Sequence, residues 1–205
     1  MKNNGAASIR RSNPGFSLLE MMIAIAIILI LVAVVSPTLM THVYAVRIRY
    51  AATDLSGILQ RARMEASRRN TFYSVQQVAL AGNVSEIFVD LAKTGLLAPS
   101  DPQVVIGTGT TVSFGPGAGA PGEAAFIAAL NFAVAGAGAV PSFNARGLPC
   151  VPAGATCPQT PGQGFVFFVS GTNQSSGNLG WAAVAVTPSG RAQVWVYDGA
   201  NWTQQ

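Results

Sequence analysis

Phe16-Ser17-Leu18-Leu19-Glu20-Met21-Met22-Ile23-Ala24-Ile25-Ala26-Ile27-Ile28-Leu29-Ile30-Leu31-Val32-Ala33-Val34-Val35 is a run of 20 residues in which Glu20 is the only ionisable side chain. At a rise of about 1.5 Å per residue it makes a helix about 30 Å long, the thickness of a bilayer's hydrocarbon core. Leu, Ile, Met and Ala dominate it, and no glycine or proline follows until Pro37. Lys2, Arg10 and Arg11 come before it. Basic residues ahead of a span stay on the cytoplasmic side, so the pattern predicts a cytoplasmic N-terminus and an exported remainder.

Three ordinary explanations compete for this run. A secretory signal peptide has an apolar core of about 7–15 residues and then a small-x-small cleavage site. Here the core is longer, and no clear Ala-x-Ala follows it. A buried core helix fits poorly with so continuous an apolar run. A plain membrane anchor fits the length but gives Glu20 no role. A carboxylate at the centre of a membrane helix costs roughly 2.5–3.5 kcal/mol on insertion scales, so Glu20 is a candidate functional residue.

Pro14-Gly15-Phe16-Ser17-Leu18-Leu19-Glu20-Met21-Met22, behind a short basic leader, resembles the class III signal of type IV pilins and type II secretion pseudopilins. The resemblance implies that a prepilin peptidase cuts after Gly15 and that the new terminal residue, Phe16, is N-methylated. The apolar helix is kept, because the cut falls on its cytoplasmic side. Glycine before the bond lets the backbone enter a tight protease site. Cleavage leaves an α-ammonium at Phe16 in apolar surroundings. The carboxylate of Glu20 from a neighbouring subunit is expected to neutralise it and help set subunit register, since an unpaired charge there is costly.

Beyond Pro37 the pattern changes. Tyr44, Ile48, Ala51, Leu55, Ile58, Ala62 and Ala66 recur at three- and four-residue spacing, which predicts an amphipathic helix to about Arg69. Pro37 is expected to kink this helix rather than end it. The stripe is expected to pack under the chain's own sheet. Arg47, Arg49, Asp54, Arg61, Arg63 and Glu65 lie on the other faces, and His42, the chain's single histidine, sits near the start of this stretch.

From Thr71 the residue types turn β-like. Candidate strands are Phe72–Val78, Ser85–Asp90, Thr111–Phe114, Val140–Phe143, Gly164–Ser170, Trp181–Thr187 and Ala192–Tyr197. Pro188-Ser189-Gly190 between the last two is a turn, and makes that pair the best hairpin in the chain. In its second arm Ala192, Val194 and Val196 share one face, and Gln193, Trp195 and Tyr197 the other. Between about Gly107 and Gln163 the chain is rich in Gly, Ala and Pro, and is expected to be mostly loop with one or two strands embedded.

The fold class is therefore α+β: a long N-terminal helix, membrane-spanning in its first half, packed on a C-terminal antiparallel β-sheet head in the manner of pilins. The expected divisions are a cytoplasmic leader at 1–15, a transmembrane and polymerisation helix at 16–36, an amphipathic stem at 37–69 and a periplasmic β-rich head at 70–205. The expected location is the bacterial inner membrane, single-pass, with the head in the periplasm.

The whole chain of 205 residues has a net charge of +4. That charge is uneven: +3 over residues 1–15, +3 over 16–69 and −2 over 70–205. The head as a whole is not expected to grip a phosphate backbone.

A second resemblance lies in the head. Ser142-Phe143-Asn144-Ala145-Arg146-Gly147 and Ala185-Val186-Thr187-Pro188-Ser189-Gly190-Arg191 are similar to the C-terminal pattern of the GspH/FimT group of minor pilins. The stem segment Asp54-Leu55-Ser56 through Arg61-Ala62-Arg63 and Ala66 is similar too. Some FimT-like minor pilins bind DNA in natural transformation through a basic patch near a Gly-Arg-x-Arg motif. Here Gly190-Arg191-Ala192-Gln193 has glutamine at the second basic position. Arg191 is thus the candidate DNA contact of an alternative function.

Cys150 and Cys157 are the only cysteines. In an oxidising periplasm they are expected to close a small disulfide loop. Their spacing, with no histidine nearby, does not suit zinc. There is no Ser/His/Asp set, His-Glu-x-x-His, phosphate-binding loop or Gly-x-Ser-x-Gly, so no enzyme activity, cofactor or metal is expected. The expected function is that of a minor pseudopilin of a type II secretion system, or a minor pilin of a type IV pilus. Its expected partners are prepilin peptidase, other pseudopilins or minor pilins, and inner-membrane lipid. Nucleic acid is the partner of the alternative. A lone signal-anchored periplasmic domain that never polymerises is a third possibility, separated from the first only by the chemistry of Glu20.

Overall fold

The computed structural model describes residues 17–81, 84–107, 109–171 and 180–205, with the side chains of 34–41 and 44 left aside. The leader and the expected cleavage pair Gly15–Phe16 lie outside the described residues. The chain divides into two compact units, residues 1–40 and 41–205. Helix α1 (Leu18–Arg68) begins in the first and continues in the second. Pro37 falls inside these bounds, so it does not end the helix.

In the first unit every side chain from Ser17 to Ala33 is exposed. No helix is long and apolar enough, among the described residues, to cross a membrane. The expected span of 16–36 runs past the described side chains at both ends, at Phe16 and at 34–36.

In the second unit α1 buries Ile48, Ala51, Ala52, Leu55, Ile58, Leu59, Ala62 and Ala66. This is the expected stripe, widened by Ala52 and Leu59; Tyr44 is among the side chains left aside. Its four alanines let a sheet approach the helix closely, and the leucines and isoleucines fill the space between. The stripe packs on two sheets.

The first sheet has β1 (Tyr73–Leu80), β2 (Val84–Asp90), β3 (Gln103–Ile106), β6 (Ser142–Phe143) and β7 (Pro149–Cys150), in the order β3-β2-β1-β6-β7. The second has β4 (Thr110–Phe114), β8 (Gln163–Gly171), β9 (Trp181–Val186), β10 (Ala192–Tyr197) and β11 (Trp202–Gln204), in the order β11-β10-β9-β8-β4. These pairs are all antiparallel, and only the short β5 (Ala133–Val134) joins β8 in parallel. Gln77 of β1 ties the sheets together, its Nε2 donating to the Val112 carbonyl at 3.2 Å and to Ser85 Oγ at 3.0 Å.

The interior strand β8 explains why the head has two cores. Strand side chains alternate between faces. Phe165, Phe167 and Val169 point into the core under α1, while Val166 and Phe168 join a second cluster on the outer face. A short helix, α2 (Glu123–Ala129), covers that outer face with Phe126. The Phe126 ring lies 4.6 Å from Trp202 and 5.5 Å from Trp195, centroid to centroid. Trp202 Nε1 donates to the Pro121 carbonyl at 2.9 Å. The Glu123 carboxylate holds the preceding glycine-rich loop by accepting N–H bonds from Gly117, Gly119 and Ala120. Composition predicts loop over this stretch. It is instead helical where one phenylalanine finds a tryptophan-lined place to bury.

Candidate assembly helix and stem groove

The start of α1 is simple. Glu20 sits in its first turn, where a negative charge favours the helix dipole, and the Met21 N–H donates to the Ser17 carbonyl at 3.1 Å. Ser17, Leu19, Glu20, Ile23, Ala24 and Ile27 surround a shallow, mostly apolar recess. Among the described residues no hydrogen bond or ion pair reaches the Glu20 carboxylate. One carboxylate therefore stands on an otherwise apolar, exposed helix surface.

At the far end of α1 the structure joins residues that sequence reasoning left separate. The first motif turn is built by Asn144, whose Oδ1 accepts the N–H groups of Arg146 at 2.9 Å and Leu148 at 3.1 Å. The second is closed by Thr187, whose carbonyl accepts the Gly190 N–H at 2.7 Å and whose Oγ1 accepts the Arg191 N–H at 3.1 Å. Each turn ends on a glycine in the left-handed region, Gly147 at φ 71° and Gly190 at φ 80°. The turns meet face to face. A Cβ on Gly190 would collide with the Gly147 carbonyl oxygen, and a Cβ on Gly147 would press on Arg63 and Ser67 of α1. Arg63 lies half-buried between them, its Nη1 donating to the Gly190 carbonyl at 3.2 Å. The paired glycines were the available signal. Arg63 belongs to the stem segment that resembles the family, but its bridging role was not recognisable, because nothing local sets it apart from Arg61.

Arg191, the candidate DNA contact, is exposed at the end of this turn. It lines two adjoining grooves between α1 and β10. One, of about 540 Å³, is bounded by Gln60, Arg63, Met64, Ser67, Gly190 and Arg191. The other, of about 240 Å³, includes Arg49 and Thr53. Among the described residues no aspartate or glutamate side chain lines either groove. Two other stem arginines are already matched: Glu65 Oε2 accepts from Arg68 at 2.7 Å and from Arg69 at 3.2 Å. The hydrogen bond from Arg68, followed by that from Arg69 and both positive charges, lowers the Glu65 carboxyl below its ordinary range. His42 is exposed.

Cys150 and Cys157 are joined in a disulfide with a Cα–Cα distance of 5.5 Å. Cys150 is buried on β7, so the bond fastens a turn closed by Ala153 and Thr156 to the edge of the first sheet. Among the described residues no group of three or more His, Cys, Asp or Glu side chains comes together as a metal site. Two of the buried carboxylates, Asp90 and Asp101, are occupied by backbone: Asp90 accepts from Thr94 and Gly95, and Asp101 from Leu91 and Ala98.

The family model of the prokaryotic N-terminal methylation motif matches residues 10–36. The amino-terminal segment of the chain is thus type IV pilin-like, with Gly15, Phe16 and Glu20 inside the matched stretch. No curated protein matches the chain. Among solved structures, the chain is similar to the type IV minor pilin FimU of Pseudomonas aeruginosa, with a TM-score of 0.43 and 16% identity, covering 77% of this chain and 93% of that one. It is also similar to the minor pseudopilin EpsH of the Vibrio cholerae type 2 secretion system, with a TM-score of 0.39 and 11% identity, covering 76% of this chain and 99% of that one. Likenesses this distant assign no role to any residue of the chain.

Proposed function

We propose that the chain is a minor pilin or pseudopilin-type subunit that works by protein–protein assembly at the bacterial inner membrane. The methylation motif over residues 10–36 carries this assignment. It is supported by the chemistry of helix α1, whose first unit is an exposed apolar surface bearing one carboxylate. In this account prepilin peptidase cuts after Gly15, Phe16 is N-methylated, and residues 16–36 hold the chain in the membrane with the head outside. Assembly then brings the Phe16 ammonium of one subunit to Glu20 of the next. The pair forms in a medium where either charge alone is costly. The turns around Gly147 and Gly190 favour the GspH/FimT group, and hence a place in a type II secretion pseudopilus or a type IV pilus. The head supplies the surface that distinguishes this subunit from its neighbours.

The test is Glu20→Ala in the full-length protein. The variant should reach the membrane and be cleaved like wild type, because losing a charge eases insertion. It should no longer co-purify with partner pilins or pseudopilins. Co-purification at the wild-type level would refute the ion-pair account.

A further inference from the structure

Arg63 poses a problem that the fold alone does not solve. A guanidinium carries five N–H donors, and Arg63 spends one on the Gly190 carbonyl. It is half-buried, and no carboxylate among the described residues neutralises it. Arg191 lines the same groove and likewise has no ion pair there. Two cations facing one groove repel each other, and a partly desolvated charge seeks a counter-charge. The groove they line is about 540 Å³ and open to solvent, and no acidic side chain among the described residues lines it.

We propose that this groove binds a carboxylate-bearing segment of an adjoining protein subunit, with an Asp or Glu side chain of the partner set between Arg63 and Arg191. Arginine forks match carboxylates in two-pronged geometry. The Gly190 carbonyl and the close approach of Gly147 hold that fork in place before binding. The rest of the lining suits a protein: Met64 is 64% exposed beside the arginines, and Arg and Met are both enriched at protein interfaces. Duplex DNA is the less fitting occupant. Its affinity grows with the number of phosphates neutralised. Here the two adjoining grooves offer three cations, Arg49, Arg63 and Arg191, beside an apolar side chain, and the nearby Arg68 and Arg69 are engaged with Glu65.

The inference rests on the assembly account only for the source of the partner; the groove itself is tested with synthetic probes. Full-length protein in detergent micelles is titrated with a labelled peptide of alternating glutamate and leucine, with its lysine–leucine counterpart, and with a short duplex DNA. Wild type should bind the glutamate peptide, and Arg191→Glu should weaken that binding at least about tenfold, the scale of one close charge pair lost. Gln60→Glu, which places an acid in the groove beside Arg63, should weaken it similarly. Arg191→Glu should gain affinity for the lysine peptide. Glu20→Ala should bind the glutamate peptide as wild type does, so failure of the assembly account and failure of the groove are read separately. The proposal is overturned by tighter binding of the duplex than of the peptide, by peptide affinity unchanged in both groove variants, or by no peptide binding to wild type.

Discussion

At the residue scale the clearest constraint is the glycine pair. Gly190 has a left-handed backbone and no room for a Cβ beside the Gly147 carbonyl. A left-handed non-glycine residue costs of order 1–3 kcal/mol, and the collision adds to it, so Gly190→Ala should destabilise the head by about 3 kcal/mol in a denaturant titration. Gly57 is the control. It lies in α1 with open space around its Cα, and Gly57→Ala should stabilise by about 0.5–1 kcal/mol through helix propensity. Equal effects at the two positions would contradict the packing described. Asp198 gives a pH signature. Its carboxyl is held below the ordinary 3.8 by backbone N–H donation, first from Asn201 and then from Ala200. A carboxylate with a lowered folded pKa contributes stability that is fully present above the unfolded value and is lost as pH falls through the folded one. Glu65 acts in the same direction. The melting temperature should therefore fall as pH drops below the ordinary carboxylate range. The drop should be smaller in Asp198→Asn, whose amide oxygen still accepts both bonds without titrating.

At the element scale, α1 and the strands β8, β9 and β10 were legible because their residue types and spacing match their burial. The stripe from Ile48 to Ala66 faces the core, and Trp195 lies on the face opposite Val194, as alternation requires. Strand β3, helix α2 and strand β11 were not legible. Glu123–Ala129 is a short alanine-rich stretch among glycines, and it is helical because Phe126 is buried against Phe168 and two tryptophans distant in sequence. The meeting of the two motif turns on Arg63 was illegible for the same reason, since residue 63 and residue 190 become neighbours only after both sheets form. The disulfide can be tested at this scale. Loop-closure entropy assigns it about 2–3 kcal/mol, and it anchors only the turn beyond β7. Replacing both Cys150 and Cys157 with Ser should lower head stability by about that amount. It should also expose residues 151–156 to protease, while leaving the β9–β10 hairpin protected from hydrogen exchange. Loss of protection throughout the head would show that the bond holds far more than one loop.

At the scale of the whole molecule the two units differ in what they leave unsatisfied. The first exposes an apolar helix with one carboxylate, and the second closes two cores yet leaves a cationic groove open. Both fit the proposed assembly with other proteins, and the first presupposes that the leader is removed and the helix kept. In the proposed assembly Glu20 pairs with a neighbour only if Phe16 becomes a free terminus, so the pairing depends on processing. Intact-mass measurement of the protein extracted from membranes tests it most directly. The account predicts a chain that begins at Phe16 and carries one added methyl group at that terminus. A chain that begins near Ser36, or one that still carries Met1 in cells with an active prepilin peptidase, would contradict it.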